Sequence, residues 1–312
     1  MKFSIVIPTY NEAKDIATTL SALIKLNYQN KEIIVVDDST DETPEIIKNN
    51  FSKDIKLIKP DVRKGRCEAR NIGVRAARGE IIIILNADAI LPVDFIEKIK
   101  LHYDNGYDCV TVMADVENHK TMYARYVDAL SLKKEKLGVY EKRKITHNGI
   151  YWSEGFSVRK ELALKANLFP VGHSVPIEAG EDVEFVNSLR SNGSKGIIDL
   201  NLRIKHTAPD NFLEFWQIRK GRGAGTPQIR RFINKWSFEK IFFIIFSKFL
   251  LRMSKIILFI PIFIHCYKLS RYSSKTSFLE IWKFMWCFSF EQLAFSVGEF
   301  KSFYIIFTRR KL

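Results

Sequence analysis

Acidic side chains follow two apolar runs of the sequence that have the composition of buried strands. Asp37 and Asp38 come directly after Ile33–Val36, and Asp88 follows Ile81–Leu85. Ligands bind beyond the carboxyl ends of the strands in an open parallel sheet, so we expect these carboxylates at one binding edge. Carboxylate oxygens suit a hard divalent cation, and such a cation suits a diphosphate.

Positive charge that could meet such a diphosphate lies nearby in the sequence, at Lys64, Arg66 and Arg70 around Gly65. The chain contains neither a GxGxxG nor a Walker A motif, which excludes two common nucleotide-binding loops. Pairs of strand-end aspartates also occur in phosphoacceptor domains of the flavodoxin-like class. Those are short single domains, whereas this chain has 312 residues.

The first 115 residues alternate between apolar runs and helical segments. Strands are predicted at Phe3–Ile7, Ile33–Val36, Ile55–Ile58, Ile81–Leu85 and Val110–Met113. A first helix is predicted to follow Asn11 as its N-cap, a second to hold Pro44 in its first turn, and a third to cover Glu68–Ala77. This alternation predicts an α/β fold with a parallel sheet covered by helices on both faces.

The composition is that of a globular chain, with 46% hydrophobic and 27% charged residues. It excludes the disordered, collagen-like and disulfide-stapled classes. The four cysteines lie far apart without a CxxC pair, which indicates a reducing compartment and no zinc ribbon. No signal peptide is expected at the start, because the apolar run there is short.

The basic excess of the chain lies in its last third. The net charge is +14, and from Arg203 onward there are 20 Lys and Arg against 6 Asp and Glu, so the first 202 residues balance to zero. The same third holds long aromatic and aliphatic runs. Basic and apolar character together favour an anionic membrane surface as a partner. A nucleic-acid partner is not predicted, because such proteins carry charge on a polar face with single aromatics interleaved.

Two apolar stretches in this region are candidates for membrane contact, at Phe238–Tyr267 and Phe278–Phe307. The first is broken by Lys248, Arg252, Lys255 and Pro261, and the second by Lys283, Glu291, Glu299 and Lys301. A helical span needs roughly 20 apolar residues and tolerates central charges poorly. Both stretches are therefore predicted to be interfacial or re-entrant helices. True spans and an ordinary helical subdomain are the alternatives.

Several motifs, in this order, resemble those of glycosyltransferase family 2. They are Phe3-Ser4-Ile5-Val6-Ile7-Pro8-Thr9-Tyr10-Asn11-Glu12, Val35-Val36-Asp37-Asp38-Ser39-Thr40, Gly65 with Ala69-Arg70-Asn71-Ile72-Gly73, Gly79-Glu80 with Asn86-Ala87-Asp88, and Gly180-Glu181-Asp182. The resemblance implies a GT-A fold, which is Rossmann-like with a mostly parallel sheet flanked by helices, over residues 1–225. Residues 1–115 would bind the nucleotide-sugar and 116–225 the acceptor. Residues 226–312 are predicted to be a membrane-associated helical region.

The resemblance also implies roles in donor binding. Pro8, Tyr10 and Glu12 would line the base and ribose pocket, and Asp38 would accept a hydrogen bond from the base. Gly65 would let the backbone approach the nucleotide, and Arg70 would add positive charge. The family's DxD motif is here Asn86-Ala87-Asp88. Asp88 would hold Mn²⁺ or Mg²⁺, and Asn86 can still hydrogen-bond a hydroxyl. His206 would complete the metal site or be purely structural.

Catalysis would rest on Asp182, which resembles the family's base. Glu181, beside it, would belong to the diphosphate lid or to the acceptor site. The alternative is that both acids merely cap their helix. A Q-x-x-R-x-G segment places Gln217, Arg219, Lys220 and Arg222 as a lid over the diphosphate or as a basic patch beside the membrane. Glu154 and Gly155 would floor the acceptor pocket.

The sequence thus predicts an inverting, metal-dependent glycosyltransferase at the cytoplasmic face of the cell membrane. It would move a sugar from a UDP- or GDP-sugar to a membrane-presented, polyprenyl-linked acceptor. Inversion is what the family's single-displacement mechanism implies. One alternative is extension of a cell-surface polysaccharide. A second, motivated by Asn86, is a catalytically silent scaffold that binds nucleotide-sugars.

Overall fold

The apolar runs near the start of the chain form the parallel half of a mixed sheet. In the computed structural model, which describes residues 1–61, 65–140 and 155–309, eight strands join in the order β3-β2-β1-β4-β7-β6-β8-β5. The strands are β1 (Phe3–Thr9), β2 (Lys31–Asp37), β3 (Ile55–Ile58), β4 (Ile81–Ile84), β5 (Ala89–Ile90), β6 (Cys109–Val116), β7 (Phe156–Arg159) and β8 (Gly196–His206).

The predicted parallel arrangement is confirmed from β3 to β4 and wrong beyond it. β1 pairs in parallel with both β2 and β4, and β2 pairs in parallel with β3. β7 runs antiparallel to both β4 and β6, and β5 runs antiparallel to β8. β4 is isoleucine at all four positions and β1 is buried at six of its seven, because both faces of these strands are covered, which is why the sequence revealed them.

Eleven helices accompany these strands in the described residues. They are α1 (Ile16–Ile24), α2 (Thr43–Phe51), α3 (Arg66–Ala76), α4 (Phe95–Asp104), α5 (Met122–Lys136), α6 (Lys160–Lys165), α7 (Glu181–Ser191), α8 (Phe212–Phe232), α9 (Phe238–Ile257), α10 (Phe259–Ser270) and α11 (Phe278–Thr308). Pro44 lies in the first turn of α2, as predicted. Asn11 is not the N-cap of α1, because α1 begins after Asp15 and Asn11 adopts a left-handed φ of 58°.

The chain divides into two compact units. Unit 1 comprises Met1–Asp115, Tyr140–Val171 and Glu181–His206, and unit 2 comprises Val116–Val139, Gly172–Gly180 and Thr207–Leu312. The sheet and its core belong to unit 1, and α8 to α11 belong to unit 2. The predicted domain boundary at residue 225 falls inside α8, and the domain assignment stays a prediction.

Unit 1 holds α3 close against the sheet by means of a glycine. A Cβ at Gly73 would lie 2.3 Å from Cγ1 of Val6, which is itself fully buried in β1. Any larger residue at position 73 would push the helix away from the strand. The close contact fixes the start of α3, and therefore Arg70, relative to the ends of the strands.

Unit 2 is organised by a close contact between α8 and α11. A Cβ at Gly223 would lie 2.1 Å from the Phe295 carbonyl oxygen, and one at Gly298 would lie 2.0 Å from the Lys220 carbonyl oxygen. Glycine at these positions lets the two helix backbones approach each other. The glycine-rich part of α8, predicted to permit a lid movement, thus has a packing role at Gly223.

Replacing Gly223 with Ala should therefore destabilise the protein by about 1–3 kcal/mol through overpacking. Gly221, on the same helix, is the matched control, because its nearest neighbour would lie 3.9 Å from the new methyl group. Gly221→Ala should be neutral or stabilising by up to about 1 kcal/mol, the difference in helix propensity. Denaturant unfolding of both variants checks this, and equal effects would contradict the packing role.

The two apolar stretches of the C-terminal region are helical, as predicted. The first is divided at Leu258 into α9 and α10, and the second forms the single helix α11. Among the helices within the described ranges, none is both long enough and apolar enough to cross a membrane. Whether these helices lie on a membrane stays a prediction.

Candidate active site

Hydrogen bonds join the loops that follow β1 and β2. Thr9 Oγ1 donates to Asp37 Oδ1 at 2.7 Å, Asn11 N to Ser39 Oγ at 2.8 Å, and Glu12 N to Thr43 Oγ1 at 2.9 Å. Pro8 lies opposite Val36 in the sheet, and Tyr10 is 40% exposed between these bonds. The two loops thus form a preorganised wall at the carboxyl ends of the strands, where a ligand is expected.

Two residues predicted to bind the donor, Asp38 and Gly65, meet at this edge. The Gly65 amide donates to Asp38 Oδ2 at 3.1 Å, immediately before α3 begins. Gly65 has a φ of 80°, a left-handed value that favours glycine. Lys64, the predicted cation directly before Gly65, lies outside the described residues.

A buried guanidinium links the Asn86-Ala87-Asp88 motif to Glu181, the residue before the proposed base. Arg70 is 1% exposed; its Nη1 donates to Glu181 Oε1 at 2.9 Å, and its Nη2 donates to Asn86 Oδ1 at 3.4 Å. Arg66 Nε lies 3.0 Å from the same Glu181 oxygen. Burial lowers the pKa of Arg70, while the Glu181 carboxylate opposes that effect. Glu181 is thus held between two arginines at the start of α7.

Asn71 and Phe169 are structural partners of this site that the sequence analysis missed. The Asn71 side chain donates to the Phe169 carbonyl at 2.9 Å and accepts from its amide at 3.0 Å. The Phe169 ring lies 5.0 Å from the Arg70 guanidinium and 4.5 Å from the ring of Phe185 on α7. Asn71 is part of the same motif as Arg70, but the sequence around it does not indicate a hydrogen-bond partner 98 residues away.

Asp182, the proposed base, is half-buried in the first turn of α7. Burial raises the pKa of its carboxyl, and the adjacent Glu181 carboxylate raises it further, while Arg70 opposes both. A raised pKa makes a carboxylate a stronger base for a hydroxyl proton. Position and environment therefore suit the predicted role.

The Asn86-Ala87-Asp88 motif lies between α1 and β8. Thr19 Oγ1 donates to the Ala87 carbonyl at 2.6 Å, which anchors the backbone of the motif. The pairing of β5 with β8 sets Ala89 opposite His206, so His206 lies beside the residue that follows Asp88. The backbones of Asp88 and His206 are thus neighbours, and a metal site shared by their side chains stays a prediction.

The donors present fit a cation that is held partly by substrate. No group of three or more His, Cys, Asp or Glu arranged to hold a metal occurs in the part of the chain that the structure describes. Mg²⁺ and similar ions are commonly bound by one or two carboxylates plus substrate phosphates, and Asp88 supplies one such carboxylate. Burial and then the Asp88 charge raise the pKa of Glu12 to about 7, so negative charge accumulates at this edge.

The raised pKa of Glu12 predicts that the stability of the protein depends on pH. The metal-free protein should lose stability as the pH rises from 4.5 to about 7, because the folded state binds the Glu12 proton more tightly than the unfolded state does. Glu12→Gln should therefore raise the free energy of unfolding at pH 8 by up to about 3 kcal/mol and change little at pH 4. Denaturant unfolding in EDTA checks this. Glu45→Gln, at an exposed position of α2, is the control, and equal gains in both variants would contradict the account.

The predicted lid residues lie on α8, in unit 2. Arg219 is 3% exposed and its Nε lies 3.2 Å from Glu291 Oε1 on α11, so it takes part in the packing of these helices. Gln217 and Arg222 are exposed, and Lys220 is half-buried. A lid role for these side chains stays a prediction.

Of the two residues predicted to floor the acceptor pocket, Gly155 is described and Glu154 lies outside the described residues. Gly155 has a φ of 65°, and a Cβ there would lie 2.8 Å from Val112 Cγ2. Glycine is thus needed at this position for backbone conformation and for space.

Comparison with known proteins identifies the family. The family model described as Glycosyl transferase family 2 matches residues 4–163. The chain is 37% identical over 94 residues to the poly-beta-1,6-N-acetyl-D-glucosamine synthase of Staphylococcus epidermidis, covering 29% of this chain and 23% of that protein. It is 30% identical over 188 residues to the dolichol-phosphate mannosyltransferase of Pyrococcus furiosus, covering 57% and 52%. The chain thus spans about a quarter to a half of these curated relatives.

A solved structure shares the fold. The mannosyltransferase PcManGT of Pyrobaculum calidifontis, in complex with GDP-Man and Mn²⁺, aligns with a TM-score of 0.55 at 22% identity, covering 76% of this chain and 65% of that one. It is similar in its mixed sheet flanked by helices, the GT-A architecture. With a family model that matches half of its length, this chain belongs to glycosyl transferase family 2 and has the GT-A fold.

Proposed function

We propose that this chain is an inverting, metal-dependent glycosyltransferase that moves one sugar from a UDP- or GDP-sugar to a polyprenyl-linked acceptor. The observation that carries the proposal is the double contact of Arg70. Its guanidinium donates to Glu181, next to the proposed base Asp182, and to Asn86, in the proposed donor motif. One buried side chain thus holds the two halves of the proposed chemistry at the same edge of the sheet.

The donor would bind along the wall made by the loops after β1 and β2. Asp38 would accept from the base, and Tyr10 and Glu12 would line the pocket beside it. Asp88 and His206 would hold Mn²⁺ or Mg²⁺ together with the donor diphosphate. The cation would supply positive charge to the diphosphate as it leaves. PcManGT, which was solved with GDP-Man and Mn²⁺, supports this choice of donor and metal.

Transfer would proceed by a single displacement. Asp182 removes the proton of an acceptor hydroxyl as that oxygen bonds to the anomeric carbon of the donor sugar. The bond from this carbon to the diphosphate oxygen breaks, and its electrons go to the nucleoside diphosphate. Attack from the face opposite the leaving group inverts the anomeric centre. The half-buried position of Asp182 supports this role, because a carboxylate sheltered from water is a stronger base.

The acceptor would be presented at the cytoplasmic face of a membrane. Large apolar side chains on α9 to α11 support this, with Phe243, Ile257 and Ile260 each at least 70% exposed in a basic region. The name of the Pyrococcus relative supports a lipid-linked acceptor, and that of the Staphylococcus relative supports the second candidate, extension of a polysaccharide. Washing membranes with high salt or carbonate should release the full chain, and a need for detergent would contradict an interfacial attachment.

Removal of the metal ligand tests the donor site. Asp88→Asn should weaken binding of UDP or GDP in the presence of Mn²⁺ by about 10–100-fold, since it removes a charged contact worth about 1.5–3 kcal/mol. It should also make the remaining binding insensitive to EDTA. Calorimetry on the full chain measures both effects. Asp94→Asn, at an exposed ion pair with Lys98, is the control and should bind as wild type does. Wild-type binding by Asp88→Asn would remove Asp88 from the site.

A further inference from the structure

Three cations meet one carboxylate among the helices of unit 2. Arg252 on α9 pairs with Glu299 on α11 and also donates to Ser296 Oγ at 3.2 Å. Arg230 on α8 and Lys248 on α9 lie within electrostatic range of both members of this pair. Among the described residues, Glu299 is the carboxylate that acts on these cations. The group, which we call the cation cluster, therefore carries an excess of positive charge.

Buried polar atoms of the cation cluster, and of Ser302 one turn after Glu299 on α11, lack hydrogen-bond partners within the described ranges. These atoms are Arg230 Nη1, Glu299 Oε1 and Ser302 Oγ. Glu299 is 1% exposed and Ser302 is 3% exposed, so water has little access to them. Such unpartnered groups are rare in native proteins, and a bound ion is one of the partners that can satisfy them. Arg230 and Ser302 can donate hydrogen bonds to an anion, and Glu299 Oε1 can accept one from an anion that keeps a hydroxyl group.

The pKa shifts of Lys248 and Arg230 also indicate an excess of positive charge in the cluster. Burial lowers the pKa of Lys248, and Arg230 and Arg252 lower it further. Burial also lowers the pKa of Arg230, with Arg252 adding to the effect. Glu299 opposes these shifts without cancelling them. An added anion would relieve this repulsion.

The surroundings of the cluster indicate what carries the anion. Lys248 is exposed and opens the cluster to solvent. On the same helix, Phe242 and Phe246 stack on each other and are 48% and 43% exposed, and Leu250 is 53% exposed. An anion attached to an apolar chain could satisfy the cations while its chain lies on these side chains. Basic pockets between helices bind lipid headgroups by this combination.

We propose that the cation cluster binds the phosphomonoester headgroup of a membrane lipid. Phosphate oxygens would accept from Arg230, Lys248 and Ser302. The remaining hydroxyl of a singly ionised monoester would donate to Glu299 Oε1, a contact that a phosphodiester cannot make. The cluster belongs to unit 2, whereas the residues proposed for the transfer chemistry belong to unit 1. Lipid binding by the cluster can therefore be tested without measuring sugar transfer.

Vesicle flotation of the full chain tests the proposal without a sugar donor. Vesicles of phosphatidylcholine would contain either phosphatidic acid, a monoester, or phosphatidylglycerol, a diester, at equal mole fraction. Wild type should partition about tenfold better onto phosphatidic acid, the effect of about 1.4 kcal/mol of added contacts. The pair Arg230→Gln with Lys248→Gln should lose this preference. The control pair Lys255→Gln with Lys301→Gln removes two exposed charges from α9 and α11 and should keep it.

The outcomes separate the alternatives. Equal losses in both pairs, or no preference for the monoester, would overturn the proposal in favour of general attraction to anionic surfaces. Thermal shift with inorganic phosphate distinguishes the source of the phosphate group. Protection of wild type by inorganic phosphate as strong as that by short-chain phosphatidic acid would assign the site to free phosphate and overturn the lipid assignment. If the cluster pair melts well below wild type, Ser302→Ala takes its place and should weaken partition onto phosphatidic acid, because it removes one hydrogen bond to the phosphate; partition equal to that of wild type would overturn the proposal.

Discussion

Replacing Asp182 with Asn should reduce sugar transfer by at least about 100-fold, the lower range of what a general base contributes. Asn has the same shape but cannot take the proton of the acceptor hydroxyl. Donor binding should stay within about threefold of wild type, because no donor contact is assigned to Asp182. Initial rates with saturating donor, together with calorimetric titration of the donor, measure the two effects separately.

The pH dependence provides a second readout for the same residue. The wild-type rate should rise with pH through a pKa above the usual range of an aspartate, because burial raises the pKa of Asp182 and the base must be ionised to act. The residual activity of Asp182→Asn should not show this rise with pH. The control is Glu184→Gln, on the same turn of α7. A variant at position 182 that keeps both the rate and the pH profile would exclude Asp182 as the base.

Replacing Arg70 with Met should lower the free energy of unfolding by about 3 kcal/mol, the lower end of the usual cost of removing one member of a buried ion pair, because Arg66 stays beside Glu181. Arg70 and Glu181 are 1% and 3% exposed, so water cannot replace the lost contact. The Asn86 side chain and the ring of Phe169 lose the same neighbour. Urea unfolding monitored by tryptophan fluorescence measures the loss.

Arg75 provides the matched control for Arg70, because both lie on α3. The Arg75 side chain is 53% exposed and its nearest carboxylate oxygen, on Glu68, is 3.8 Å away. Arg75→Met should therefore cost less than about 1 kcal/mol. The double variant Arg70→Met with Glu181→Gln should lose less than the sum of the two single variants, because the partners are coupled. Additive losses would contradict the buried pair.

Local pattern was sufficient to predict the parallel half of the sheet and the acidic residues at the ends of its strands. Ile33–Val36 and Ile81–Leu85 are apolar because they are buried on both faces, and the acids that follow them mark where the strands end. The direction of β7 was not predictable, since a four-residue strand carries no signal of its neighbour's direction. In the structure Ile81 lies opposite Arg159 and Ile84 lies opposite Phe156, so β7 runs antiparallel to β4.

Site contacts between distant parts of the sequence escaped the same reasoning. Glu181 was expected at a lid or acceptor, and its contact with Arg70 spans 111 residues. Arg219 was expected at the diphosphate, but the sequence holds no sign that Glu291 packs against it. Glu181, Arg70 and Arg219 stood in recognisable motifs, and Glu291 interrupted an apolar stretch. The pairing between them depends on tertiary packing, which composition and spacing do not encode.

The most direct test of the account is transfer from a panel of radiolabelled UDP- and GDP-sugars, with membranes as acceptor and Mn²⁺ present. The account predicts that one donor labels an organic-extractable product, that EDTA abolishes the labelling, and that Asp182→Asn does not produce it. Labelling of polymer alone would replace the lipid-linked acceptor by the polysaccharide alternative. Donor binding with no transfer to either fraction would contradict the central claim that this chain is a glycosyltransferase acting at a membrane.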